Sequence, residues 1–194
     1  MSSTTSSNKP VKLIGLLMVV AGLIMVVAGG VTWGLVTSQL KAENIVVAAV
    51  TDKDPGPLAG KPVAGPFTAY AQANAINHHA LEGANNRTYA QLGADAKVLK
   101  TKLAAAGATK ADIAKDKGVI ALADARDNTM TGSFLRASLF TSVISFGVAA
   151  LVIGLGFLFG LLGFALVKVS APAVAPAAPV KTSAPTKTPA KANA

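Results

Sequence analysis

Residues 15–30 read GLLMVVAGLIMVVAGG, a seven-residue unit repeated with one substitution and followed by the glycine that opens a third copy. No charge interrupts the apolar run around it, which extends over 24 residues from Leu13 to Val36. About 20 residues at ~1.5 Å rise cross a ~30 Å hydrocarbon layer, so this run is read as a transmembrane helix. Secretory h-regions span only ~7–15 residues, and the segment is therefore read as a retained anchor. The repeat puts Gly15, Gly22 and Gly29 on one face, with Ala21 and Ala28 beside them, while Gly30 and Gly34 form a GxxxG. Small residues along one face let another helix backbone come close, which drives association where lipid removes any hydrophobic preference between helices.

A second uncharged run covers 31 residues, Ala137–Val167. As a straight helix it would be ~46 Å long, more than a bilayer needs. Ser138, Thr141, Ser142 and Ser145 near its start place that part above the hydrocarbon. Gly147 and Gly154 are seven apart, and Gly156, Gly160 and Gly163 make a second small face. Two small-faced helices in one chain are expected to pack on each other, leaving the remaining faces for lipid or for a further transmembrane helix. Trp33 suits an interfacial anchor.

These runs divide the 194 residues into an N-terminal tail (1–12), a first span (13–36), a middle segment (37–136), a second span (137–167) and a C-terminal tail (168–194). In the middle segment, Ile45–Val50 reads as a short strand or a buried extended run, and residues 52–66, with four prolines, read as a turn region. Pro66 suits the first turn of a helix in which Phe67, Tyr70, Ala73, Ile76 and Ala80 share helical spacing and Gly83 is the stop. A second helix is expected over Ala94–Ala106, closed by Gly107. Thr109 and Asp112 imitate a capping box before a third, through Ile113, Ile120 and Ala123. The chain from Asn128 should lead as helix into the second span. Beyond Ser170, five prolines among small residues and lysines cannot build a core, so that tail reads as disordered.

The formal charge of +9 sits largely at the ends. Lys9 and Lys12 precede the first span, four lysines and no acid follow the second, and the middle segment holds all nine acidic residues. The acid-free tails orient both termini toward the cytoplasm and the middle segment outside, giving a multi-pass protein of the cell membrane. A nucleic-acid interface would want a basic folded face with stacking aromatics, which neither tail offers.

Chemistry-bearing motifs are few. With no cysteine, there is no thiolate ligand, no cysteine nucleophile and no disulfide. His78 and His79 are adjacent, so they diverge on a helix. Either one with Glu82 supplies only two ligands, where zinc takes three or four, and no metal site is assigned. No nucleophile motif, phosphate-binding glycine loop or paired catalytic carboxylates occur, and no ionisable group interrupts either span to mark a transport path. Neither a catalytic residue nor a cofactor is expected.

The segments TWGLVTSQLKAENI (32–45), AGKPVAGPFTAYAQANAINHHALEG (59–83), RTYAQL (87–92) and SFLRASLFTSVISFGVAALVIGLG (133–156) resemble a family of small actinobacterial two-span membrane proteins of unknown function. The resemblance covers roughly residues 11–168. Its members often carry the label of an aromatic ring-opening dioxygenase subunit, which implies non-haem iron held by two histidines and a carboxylate with open positions. Neighbouring histidines on one helix do not supply that set, so the label is rejected, and the resemblance carries location and topology alone. Gly93–Asp127 runs longer here than is usual in the family.

The sequence therefore predicts an all-α membrane protein, two transmembrane helices flanking a small, mostly helical extracytoplasmic domain. Its expected role is a non-catalytic accessory or scaffolding subunit of the envelope that packs through its glycine faces. The alternative is an extracytoplasmic ligand-binding or sensing module.

Overall fold

A computed structural model describes residues 9–170, and the elements within them are five helices and one isolated β-bridge. Residues 1–8 and most of the Ala/Pro/Lys tail, 171–194, lie outside the described residues. Helix α1 covers Lys9–Ala42 and helix α5 covers Lys117–Val169. They form an antiparallel pair, Gly15 lying against Gly163, Gly22 against Gly156 and Gly29 against Ala149. Both are long and apolar enough to cross a membrane. Each outruns the apolar run that announced it, α1 by a turn at either end and α5 by twenty residues at its start.

Helix α5 is one unbroken rod of 53 residues, ~80 Å long. It absorbs most of the expected third helix and the lead-in to the second span. The Thr109–Asp112 box does form: Asp112 N–H donates to the Thr109 hydroxyl (3.2 Å), and Thr109 N–H donates to the Asp112 carboxylate (3.0 Å). The helix it starts, α4 (Lys110–Lys115), lasts only six residues. At Asp116 the backbone turns extended (ψ 128°), and its carboxylate accepts the Val119 N–H at 3.0 Å, capping a new helix. From there to Val169 no proline interrupts the chain.

Helix α2 (Pro66–Glu82) has the expected bounds, with Pro66 in the first turn and Gly83 as its C-cap. Asn85 and Asn86, at φ 53° and 58°, then reverse the chain in the left-handed region that asparagine tolerates. Helix α3 (Tyr89–Ala105) starts five residues before the expected Ala94, because Thr88 and Gln91 form a capping box: Thr88 N–H donates to Gln91 Oε1 at 2.8 Å. Gly107, at φ 86°, ends it as the sequence predicts.

Between α1 and α2, Ile45–Val50 is extended, with Val47 buried and Val46 half exposed. Its partner is residues 60–63, through Val47 N–H to Lys61 O and Val63 N–H to Ile45 O, both 2.9 Å, with a single bridge at Val46–Pro62. The run is pinned to α2 by Ala48 N–H, which donates to the buried Gln72 Oε1 at 2.7 Å. The core lies where these pieces meet the helix pair: Leu40, Val47, Val63, Ala69, Ala73, Leu139 and Phe146. Helix α2 runs antiparallel to α5, with Ala80 against Gly132, Asn77 against Arg136 and Tyr70 against Phe140. Its first turn therefore points toward the apolar end of the pair. The face it buries is Ala69, Gln72 and Ala73, whereas Phe67 is 80% exposed and Tyr70 51%. Alanines let the α2 backbone approach α5, and the rings are displaced to the flank.

Candidate functional site

The glycine repeat of α1 is spent inside the chain. A Cβ built on Gly22 would stand 2.5 Å from Gly156 O and 2.8 Å from Gly160 N, and one on Gly156 would stand 2.7 Å from Gly22 O. Gly15 and Gly163 show the same reciprocity, at 2.8 Å from Gly163 O and 2.5 Å from Gly15 O. Real Cβ atoms essentially never come that close, so at these two levels the backbones approach to a distance that only glycine allows. Facing Cα hydrogens and carbonyls at such an approach make the weak Cα–H···O contacts found at close helix–helix interfaces. At the third level the partner is Ala149, whose carbonyl oxygen and Ile153 Cγ1 lie 2.9 and 2.6 Å from a Cβ on Gly29.

All three levels step by seven on both helices, the spacing of a left-handed pair crossing at about +20°. Gly160 belongs to this seam through its backbone, since its N and Cα face Gly22 while its own Cβ direction is open. The other four glycines do not take part. Gly30, Gly34, Gly147 and Gly154 have no heavy atom within 4 Å of a built Cβ. At ~100° per residue, Gly30 is turned about 100° from Gly29, Gly34 about 140°, and Gly147 and Gly154 about 160° from Ala149 and Gly156. The GxxxG pair thus lies on a face of α1 that the described residues leave uncovered. Toward the loop end the seam is filled by side chains: Trp33 meets Phe146 edge to face at 4.8 Å, and Leu40 and Leu139 are buried.

Sequence reasoning missed three participants. Ala149 extends Gly156 and Gly163 to a third heptad level, and that spacing is visible in the sequence. Gly132 lets α2 approach α5, since a Cβ there would stand 2.8 Å from Ala80 Cβ. Arg136 donates from Nη1 to Asn77 Oδ1 at 3.1 Å, with Cζ 5.2 Å above the Phe140 ring. Among the described residues neither Arg136 nor Arg126 has a carboxylate within 4.0 Å, and the Nε of each is buried without an acceptor. Arg126 lies instead over the Tyr89 ring at 4.0 Å and against Gly93.

The histidine pair is held on α2 with ring centroids 5.9 Å apart, and His78 Nε2 approaches Glu82 at 3.8 Å. Among the described residues no three histidine, aspartate or glutamate side chains are grouped to hold a metal ion. Two cavities flank α2. One, of about 310 Å³, is apolar and lies between residues 47–59 and the Phe67–Tyr70 flank. The other, of about 300 Å³, lies between α2, α3 and α5, with Asn77, Ser133 and Arg136 in its wall. Comparison with family models, with curated proteins and with solved structures gave no match.

Proposed function

We propose that this chain is a non-catalytic integral membrane protein of the cell envelope, in which α1 and α5 cross the bilayer as a hairpin and hold residues 37–136 outside, with both termini cytoplasmic. One observation carries the reading. The helices are tightly closed on each other, yet only 11% of the most apolar stretch of either is buried. The core helix of a water-soluble protein would hide most of that surface, whereas Leu16, Leu23, Val27, Leu151, Phe157 and Leu161 are all more than half exposed. Lipid is the medium that accepts such a surface at no cost.

On this reading the accessory or scaffolding role shifts from one glycine face to another. The Gly15–Gly22–Gly29 stripe is used within the chain, which supports a rigid two-helix unit. Gly30 and Gly34 on the outer side of α1, and Gly147 on the outer side of α5, all in the loop-side half of the pair, are what remains for helices of other subunits or copies. Because α5 continues unbroken from the loop domain through the hairpin, a partner docked on either part would be held rigidly to the other. The ligand-binding alternative is favoured by the two cavities beside α2.

The chain has no cysteine, so single reporters are clean. Lys53→Cys should react with an impermeant thiol reagent in intact spheroplasts, and labelling only after lysis would overturn the orientation. In mild detergent the protein should purify as a defined complex that Gly147→Ile dissolves and Leu161→Ile does not. A monomer unaffected by either variant would overturn the scaffolding role.

A further inference from the structure

We propose that the notch between Arg136 and Asn77 binds the phosphate of a glycerophospholipid drawn from the leaflet next to the loop domain; the inference rests on the membrane-hairpin reading above. Arg136 is the last charge before the 31 uncharged residues of α5. Its protein partners are one Asn77 oxygen, at 3.1 Å, and the Phe140 ring beneath it. No carboxylate among the described residues neutralises it. With the Asn77 oxygen taken, the amide has only its NH₂ to offer, a second donor beside the free guanidinium N–H groups. Ser133, in the same cavity wall, already gives its proton to Thr129 O at 2.9 Å. The notch thus offers a cation and an amide as free donors, which suits an oxyanion, and a guanidinium fork matches phosphate oxygens in particular.

Depth selects a lipid over a free anion. Residues paired across the seam at Gly15–Gly163 and Gly22–Gly156 put Val36, the end of the first apolar run, level with Ser142. Arg136 lies six residues beyond Ser142, about 9 Å along the helix. Headgroups occupy roughly the outer 5–8 Å on each side of the hydrocarbon, and an arginine side chain readily reaches that layer. On the hydrocarbon side of the guanidinium, Phe140 and Tyr70 pack edge to face at 5.8 Å, and below them Phe67 is 80% exposed. An anion-binding end above an apolar flank fits an amphiphile standing in the leaflet.

The test uses the full chain purified in mild detergent, with native mass spectrometry reading the binding of dihexanoyl phosphatidylglycerol and, separately, inorganic phosphate. The phosphatidylglycerol should bind, and Arg136→Gln should weaken it about tenfold or more, the scale of one lost charge-assisted pair. Asn77→Asp should weaken it as much, because the new carboxylate occupies Arg136 and repels phosphate while keeping the fold. Arg126→Gln, the same change ten residues away, should leave binding unchanged. Unchanged binding in Asn77→Asp overturns the proposal even if Arg136→Gln fails to fold, and equal binding of inorganic phosphate makes the notch a free-anion site and overturns it too. Carbonate washing of native membranes separates the two levels: release of the chain overturns the hairpin and the notch together, while retention with variant-independent lipid binding overturns the notch alone.

Discussion

Gly22 offers the sharpest test of the seam, because the atoms its side chain would meet cannot move aside. A Cβ there would lie 2.5 Å from Gly156 O and 2.8 Å from Gly160 N, all backbone, and the opposing residues are already glycine. Restoring an ordinary contact near 3.4 Å requires the helices to separate by several tenths of an ångström to almost 1 Å along the seam. A gap of ~0.5–1 Å forfeits roughly a quarter to a half of each dispersion contact, and overpacking of this kind costs about 1–3 kcal/mol. Gly22→Ala should therefore be less stable than Gly30→Ala by ~1–3 kcal/mol, which leaves it ~0–2 kcal/mol below wild type after the ~1 kcal/mol that alanine gains over glycine in helix propensity, and Gly22→Ile should cost more. Gly30→Ala adds the same methyl group one residue on, into open space, and should be neutral or slightly stabilising. Gly22→Ala with Gly156→Ala should cost less than the sum, since one separation relieves both clashes. Trp33 is the only tryptophan and meets Phe146 edge to face in the same seam, so its fluorescence during unfolding by denaturing detergent reports the opening of the pair. If Gly22→Ala matches Gly30→Ala, or if the double variant is strictly additive, the close-packed seam is refuted.

Three further outcomes are expected. Gly132→Ala should destabilise the α2–α5 contact, and Ala80→Gly should rescue it, because the two Cβ atoms would stand 2.8 Å apart; thermal melts of the double-mutant cycle read the coupling, and no rescue would mean that α2 does not cross α5 there. Gln72→Leu should cost about 1–3 kcal/mol by leaving the Ala48 N–H without its acceptor, and Gln72→Glu should cost less; equal melting of wild type and Gln72→Leu would show that this bond does not hold the extended run. The Asp112 carboxyl is held below its usual value of 3.8 by the Thr109 hydroxyl and then by the Thr109 amide, so the cap is fully present above that value and is lost as pH falls through the lower folded value. Amide exchange over Lys110–Lys115 should therefore quicken only in that acid window, and Asp112→Asn should abolish the pH dependence.

Much of the pattern was legible because it is periodic. The spacing of Gly15, Gly22 and Gly29 named the face of α1 that packs, and Pro66, Gly83, Gly107 and Thr109 marked helix ends by local chemistry that no tertiary contact overrode. Spacing also separates the two small faces of α5. Extended by seven, Gly147 and Gly154 lead to Leu161, whereas Ala149, Gly156 and Gly163 give three small levels to match the three on α1. The break at Asp116 is of another kind. One carboxylate can terminate a helix and cap the next, and only its capture of the Val119 N–H, rather than any residue count, decides that α4 stops after six residues.

The exposed aromatic flank of α2 bears on the proposed function. Phe67 and Tyr70 share helical spacing with Ala73, and in a helix surrounded by water the largest apolar side chains would be the ones buried. Here the close approach of α2 to α5 needs Ala69, Ala73 and Gly132, and the rings stand outside at the end of α2 nearest the apolar hairpin. An 80% exposed phenylalanine is a liability in water, but it is at home where the surrounding medium changes from headgroup to hydrocarbon. On the membrane-hairpin reading, the same medium accounts for Arg136, one helical turn from Phe140, having no carboxylate partner among the described residues: a phosphate layer can supply the anion. On that reading the exposed aromatic flank and the unneutralised arginine have one cause, a domain whose lower rim lies against lipid.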